Sequence, residues 1–142
     1  MSTELPVPEP VVTPETAPYW AAAAEGKLLL TRCADCGEVI WYPRSWCPFC
    51  ASGSVDWVEA SGRGTVYSCT TVRRGVPPAY ADAAPYVLAY VELDEGPRVL
   101  TNIRTEDPGA VAIGRPVEVV FDPVGETALP RFRVVSGAGS DG

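Results

Sequence analysis

Cys33, Cys36, Cys47 and Cys50 form two Cys-x-x-Cys pairs with ten residues between them, and the chain contains no histidine. Thiolates bind zinc at about 2.3 Å, and structural sites use four ligands in a tetrahedron. A Cys-x-x-Cys turn brings two sulfurs onto one ion, so two turns close the site without help. Gly37 follows the first pair where a positive φ is often needed, and Pro48 stiffens the second. A thioredoxin-type dithiol would lie in a βαβ pattern, which this sequence lacks. Disulfides conflict with the reducing compartment expected for this chain. Rubredoxin-type iron uses the same four thiolates, so the ligand set alone leaves zinc and iron open. Four thiolates also leave no coordination position for water or substrate. The expected role is therefore a structural Zn2+ that contributes folding energy to a module with little core of its own.

The elements that must position these cysteines are short. "KLLLTR" reads as a strand leading into the first pair and "VDWVEA" (55–60) as a strand leaving the second, the layout of a zinc ribbon over 27–60. Before it, 1–12 reads as an extended arm. Residues 13–26 read as an N-terminal helix, with Thr13 as N-cap, Pro14 in the first turn and Gly26 as the stop. Pro18 argues for a later start. Tyr19 and Trp20 on this helix serve either internal packing or a surface contact. From residue 61 to 135 the pattern has period two. In "PYVLAYVEL" Val87, Ala89, Val91 and Leu93 share one face; Val99, Thr101 and Ile103 share another, as do Val117, Val119 and Phe121. "GRG" (62–64) reads as a turn entering the first of these strands and "DEGP" (94–97) as a hairpin turn. Five strands with the longest insertion after the third, 105–116, suggest an oligomer-binding (OB) barrel; an SH3-like barrel or open sandwich fits the same alternation. Cys69 alternates with Ser68 and Thr70 and reads as a packed cysteine. The tail, 136–142, is expected to be disordered.

The fold class expected is thus mainly β: a helix, a four-cysteine ribbon and a five-stranded barrel. Without histidine, the commonest general base and the usual partner of a Ser or Cys nucleophile are missing. Neither a Walker loop nor a dinucleotide-binding glycine fingerprint occurs. Asp94, Glu95, Glu106 and Asp107 fall in turns and read as solvated carboxylates. The net charge of −7 opposes a phosphate backbone, so nucleic acid is not an expected partner. No apolar run reaches the roughly 20 residues of a bilayer span, and the N-terminal residues do not read as a signal peptide. The expectation is a cytoplasmic protein that binds or assists and does not catalyse alone.

"GKLLLTRCADCGEVIWYPRSWCPFC" followed by "GRGTVYSCTTV", "PYVLAYVELDEGPRVLTNI" and "IGRPVEVVF" resembles the acyl-CoA-associated family in which a rubredoxin-like zinc ribbon is fused to an OB-fold. The resemblance covers about residues 15–135. It implies a free-standing, non-catalytic subunit in a hetero-oligomer with a thiolase-like enzyme acting on acyl-CoA thioesters, including the aldolases of steroid side-chain degradation. It also implies acyl-CoA as a ligand or shared substrate. Candidate contacts with partner or acyl-CoA are Trp41, Tyr42, Arg44 and Trp46 between the knuckles, and Arg73, Arg74 and Tyr80 in the loop 73–85. An arginine pair there could meet phosphates or acidic groups; solvated arginines at a strand end are the plainer reading. The other functional readings are a rubredoxin-like iron electron carrier and an OB-fold nucleic-acid binder, the latter poorly supplied with basic residues on its strands.

Overall fold

The structure is a computed structural model describing residues 5–135. The expected tail, 136–142, lies outside the described residues, as do the first four residues of the arm. The rest of the arm, 5–12, carries neither helix nor strand. Helix α1 spans Ala17–Ala24 and so begins later than the predicted 13–26. Thr13 and Thr16 tie residues 13–16 into a separate turn, each backbone N–H donating to the other's hydroxyl (3.1 and 3.3 Å). Pro18 then sits in the first helical turn, where its missing N–H costs nothing. Gly26, at φ +77°, ends the helix by donating to the Ala23 carbonyl while Lys27 donates to Ala22, a left-handed stop of the kind glycine favours.

Strands β1 (Leu29–Cys33), β2 (Val39–Ile40) and β3 (Val55–Glu59) form an antiparallel sheet in the order β2-β1-β3. Strands β4 (Arg63–Val72), β5 (Tyr86–Leu93), β6 (Arg98–Ile103), β7 (Pro116–Val124) and β8 (Thr127–Val134) close a barrel in the order β4-β5-β6-β8-β7. Pairing of β7 with β4 completes it, and the β6–β8 contact is parallel through Ile103 and Phe132. This is the OB-fold barrel. Its two long connections are 73–85 and 104–115, and the one after the first barrel strand is the longer, not the one after the third as expected. Each carries a short 3-10 turn, at Pro78–Ala83 and Pro108–Ala110. Among the described residues no helix is long and apolar enough to cross a membrane.

The alternating faces fold as read. Val87, Ala89, Val91 and Leu93 are buried, with Val99, Ile103 and Val117. In β4 a bulge at Tyr67 shifts the register between Val66 and Ser68. A one-residue insertion exchanges the two faces of a strand. Gly64 and Val66 therefore point inward before the bulge, and half-buried Cys69 packs against the core after it.

Helix, ribbon and barrel share one apolar core. It joins Tyr19, Trp20 and Ala23 of α1 to Leu28 and Leu30 of the ribbon and to Val66, Val91 and Phe132 of the barrel. Tyr19 and Trp20 thus pack internally. Their rings meet edge-on at 4.8 Å, and burial pushes the Tyr19 phenol pKa up. The Thr127 hydroxyl donates to the Trp20 carbonyl at 2.7 Å, tying α1 to the barrel. On the ribbon side, the Ser45 N–H donates to Glu15 at 2.7 Å; that bond holds the Glu15 carboxyl below its ordinary pKa.

The barrel closes tightly at Gly64. A Cβ there would lie 2.5 Å from the Glu92 carbonyl oxygen and 2.8 Å from Val91 Cγ1, and backbone cannot yield as a side-chain tip does. Gly64→Ala is expected to lower stability by about 1–3 kcal/mol, the usual cost of overpacking. Denaturant unfolding measures it: the midpoint should fall while the slope is kept. An unchanged midpoint would show that the β4–β5 ladder is looser than described.

Candidate metal centre and exposed aromatic surface

The two knuckles are built alike. In the first, Cys33 donates its N–H to the Glu38 carbonyl (2.9 Å) and accepts from Gly37 N (2.9 Å). In the second, Cys47 donates to Ser52 (2.9 Å) and accepts from Ala51 N (2.8 Å). Gly37 and Ala51 occupy equivalent positions, and both have positive φ, +79° and +66°. Ala51 is the one non-glycine residue in that conformation among the described residues. Backbone N–H groups also point at sulfur: Cys36 N to Cys33 Sγ and Phe49 N to Cys47 Sγ, both 3.4 Å.

These turns bring the four sulfurs of Cys33, Cys36, Cys47 and Cys50 within 4.8 Å of one another. Cys33–Cys50 and Cys36–Cys47 stand at 3.5 Å. A tetrahedron with ligand bonds of about 2.3 Å has edges of about 3.8 Å, so the cluster is the right size to hold a metal ion. Cys33 and Cys47 are buried; Cys36 and Cys50 face solvent. The N–H of Cys36 helps draw the Cys33 thiol down to about 6. Cys50 moves the other way, to about 12: the Ser52 N–H lowers it, but the Cys33 sulfur and desolvation outweigh that bond. Thiols this close cannot all ionise against one another; a cation relieves the conflict. The ribbon's own interior is small, comprising Cys33, Cys47 and Ile40 with half-buried Val55 against them.

The aromatic residues between the pairs divide. Trp41 turns inward against the core, meeting Tyr19 at 5.4 Å and Tyr42 edge-on at 4.9 Å. Tyr42 is 37% exposed, and Trp46 65%. Phe49, in the second knuckle, is 64% exposed; the sequence reading passed over it because a residue between two ligands reads as part of the turn. Arg44, Arg73 and Arg74 are exposed and form no ion pair among the described residues. Tyr80 is half-buried with its ring 5.4 Å from that of Tyr86, so loop 73–85 is braced on the barrel. The structure does not gather the arginine pair with the ribbon aromatics into one site.

A second set of exposed side chains lies on the outer barrel face. Tyr90 stands opposite Leu100 in the β5–β6 ladder, and both are exposed. Arg98 stacks over Tyr67 at 3.9 Å and pairs with Glu92 at 3.2 Å. Leu100 also lines a small apolar depression with Trp41, Tyr19 and Pro130. The depression thus brings Trp41 of the ribbon next to Leu100 of the barrel.

A four-thiolate ribbon packed through an aromatic helix onto a closed OB barrel defines a class of two-module zinc-ribbon proteins. Two family descriptions match in that order: "ChsH2, rubredoxin-like zinc ribbon domain" over residues 20–56 and "ChsH2, C-terminal OB-fold domain" over 57–122. A DUF35 domain-containing scaffold protein of Methanothermobacter thermautotrophicus is 38% identical over 97 residues, 68% of this chain and 72% of that protein. The chain belongs to the DUF35 family, with the ribbon and OB-fold of ChsH2. A protein of Thermomonospora curvata named as a probable enoyl-CoA hydratase alpha subunit is 40% identical over 129 residues. That match takes in 89% of this chain but only 39% of the relative, so the chain spans about two fifths of its length. Among solved structures, a chain of the Ltp2-ChsH2(DUF35) aldolase superposes with a TM-score of 0.76 at 37% identity, covering 89% of this chain and 98% of that one.

Two outcomes follow for the knuckles. Stripping the metal with a chelator is expected to unfold residues 28–58; amide signals of β1–β3 should collapse. A ribbon that stays folded without metal would show that its hydrogen bonds suffice. Ala51→Gly is expected to stabilise the ribbon by about 0.5–1 kcal/mol. It removes a left-handed strain of about 1–2 kcal/mol against the entropy glycine loses on folding. The chelator concentration at half-unfolding should rise; a fall would mean that the Ala51 methyl group packs usefully.

Proposed function

We propose that this chain is a non-catalytic accessory subunit of a thiolase-fold enzyme acting on acyl-CoA thioesters, most concretely a retro-aldolase of steroid side-chain degradation. It is needed for assembly and activity and helps to enclose the acyl-CoA. The single observation that carries the reading is the number of large apolar side chains left exposed: Tyr42, Trp46 and Phe49 on the ribbon and Tyr67, Tyr90 and Leu100 on the barrel. Tyr, Trp and Arg are the side chains that dominate protein interfaces, and charged residues other than Arg are sparse at interface centres. Exposed large apolar side chains that cluster mark sites of protein contact. The relatives named as a scaffold protein, a hydratase alpha subunit and part of an aldolase complex support a partner enzyme as its occupant.

In this reading Cys33, Cys36, Cys47 and Cys50 hold a structural Zn2+, and Trp46, Phe49 and Arg44 extend the contact from the ribbon. Arg73, Arg74 and Tyr80 lie toward the acyl-CoA, where exposed guanidinium groups suit its phosphates. The partner supplies the reacting groups. This chain positions its aromatic face and, through the zinc, keeps the ribbon rigid enough to present it.

Co-expressed with a thiolase-like protein encoded beside it, the chain should copurify and be required for activity. Tyr90→Ala and Trp46→Ala should each weaken association at least tenfold, about 1.4 kcal/mol or more, with the free chain still folded. A partner that is soluble and fully active alone would overturn the reading. Metal analysis should find one zinc per chain in a colourless protein. Iron with a visible thiolate charge-transfer band would favour the electron carrier instead.

A further inference from the structure

The barrel is closed, and the N-terminal arm is tied to it by Arg131, which is 2% exposed and donates to the Pro6 carbonyl and, at 2.7 Å, to Asp122. The ribbon sheet is open. Its order is β2-β1-β3, so β3 pairs with β1 on one side and has no strand on the other. Two bonds fix which groups face that open side. Ala60 N donates to the Leu28 carbonyl and Ala34 N to the Ser54 carbonyl, both at 2.8 Å. Between them Leu30 stands opposite Val58 and Arg32 opposite Asp56, so the even-numbered residues of β3 bond to β1. The N–H and C=O groups of Val55, Trp57 and Glu59 therefore point away from β1. None of these groups has a hydrogen-bond partner among the described residues.

A free edge invites another strand, and proteins blunt such edges with lysine, proline or a bulge. β3, "VDWVE", contains neither lysine nor proline, and its register with β1 runs without a shift. The strand is also held in place. Val55 packs against the cluster of Cys33, Cys47 and Ile40, and Trp57 and Val58 pack against the shared core. Its two exposed side chains are carboxylates, Asp56 and Glu59. Neither forms an ion pair among the described residues.

Main-chain groups recurring about every 7 Å along one edge match an extended backbone. The charges decide whose. A second copy paired antiparallel about Trp57 would make the two Asp56 side chains diagonal neighbours on one face, between chains that each carry −7. Like charges so placed oppose pairing, whereas a basic strand gains from the same two carboxylates. We propose that the edge of β3 receives an extended segment of the partner enzyme as an added strand, with Lys or Arg opposite Asp56 and Glu59 and apolar side chains opposite Val55 and Trp57. That the segment belongs to an enzyme subunit rests on the function proposed above; the chemistry of the edge does not.

The test uses NMR on the isotopically labelled, zinc-loaded full chain. In the free chain the amides of 55, 57 and 59 should exchange with solvent at least tenfold faster than those of 56, 58 and 60. A short peptide of alternating lysine and valine should shift the odd-numbered amides saturably and slow their exchange. The same peptide with glutamate for lysine, or with proline at its centre, should bind at least tenfold more weakly, and added salt should weaken the lysine peptide. Glu59→Pro removes one outward donor at an edge position that tolerates proline. It should weaken both the peptide and the partner enzyme at least tenfold, and more than Glu59→Gln, which removes only the charge. The peptide series on the unmutated chain keeps the test decisive if Glu59→Pro misfolds. A glutamate or proline peptide that binds as tightly, no saturable shift at 55–59, odd amides as protected as even ones in the free chain, or self-pairing through them on concentration would each overturn the edge. A partner that binds folded Glu59→Pro as before would also overturn it and leave the accessory role standing. A partner that never associates with the chain would overturn the accessory role and the source of the segment, while the peptide series still decides the edge.

Discussion

The ribbon depends on four sulfurs meeting. The ribbon owns almost no interior: Ile40 is the one fully buried aliphatic side chain beside Cys33 and Cys47 in its local cluster. Its other apolar residues, Leu28, Leu30, Trp41 and Trp57 among them, are turned toward the core shared with α1 and the barrel. The ribbon is therefore a thin plate with one face spent on its neighbour and the other in water. Such a plate cannot be stabilised by burial alone. Convergence of the knuckles fixes β1, β1 carries Leu30 into the shared core, and Leu30 and Trp41 in turn help cover Tyr19. A local convergence of four sulfurs thus supports packing well beyond the cysteines.

The barrel was largely legible in the sequence because its strands are half-buried, and half-burial writes itself as alternation. The faces of β5 were readable residue by residue. β4 was less so. Its bulge at Tyr67 exchanges the faces midway, and nothing in "GTVYSCTTV" marks where a residue is inserted. The helix start was misplaced for a similar reason: Thr13 and Thr16 are both good caps, and the choice between them is made by their mutual hydrogen bonds.

The four-cysteine cluster was legible because metal chemistry would fix residue type and spacing together. The surfaces were not. Trp41 and Trp46 lie five residues apart with similar neighbours, yet one is packed and the other bare, a difference set by where α1 lies. Phe49 was hidden by its place between two ligands. The family resemblance reached the architecture, which the two ChsH2 matches and the aldolase superposition support, without reaching these individual side chains.

The tie between Arg131 and the arm has a consequence for sequence drift. The acceptor at Pro6 is a main-chain carbonyl, which every residue type provides. The arm's path is thus specified by the barrel and only weakly by the arm's own letters. Relatives could exchange most of these residues and keep the same trace, so that poor sequence agreement over this segment would conceal a preserved position. Conversely, losing one buried arginine on β8 would release a segment more than a hundred residues away in the chain.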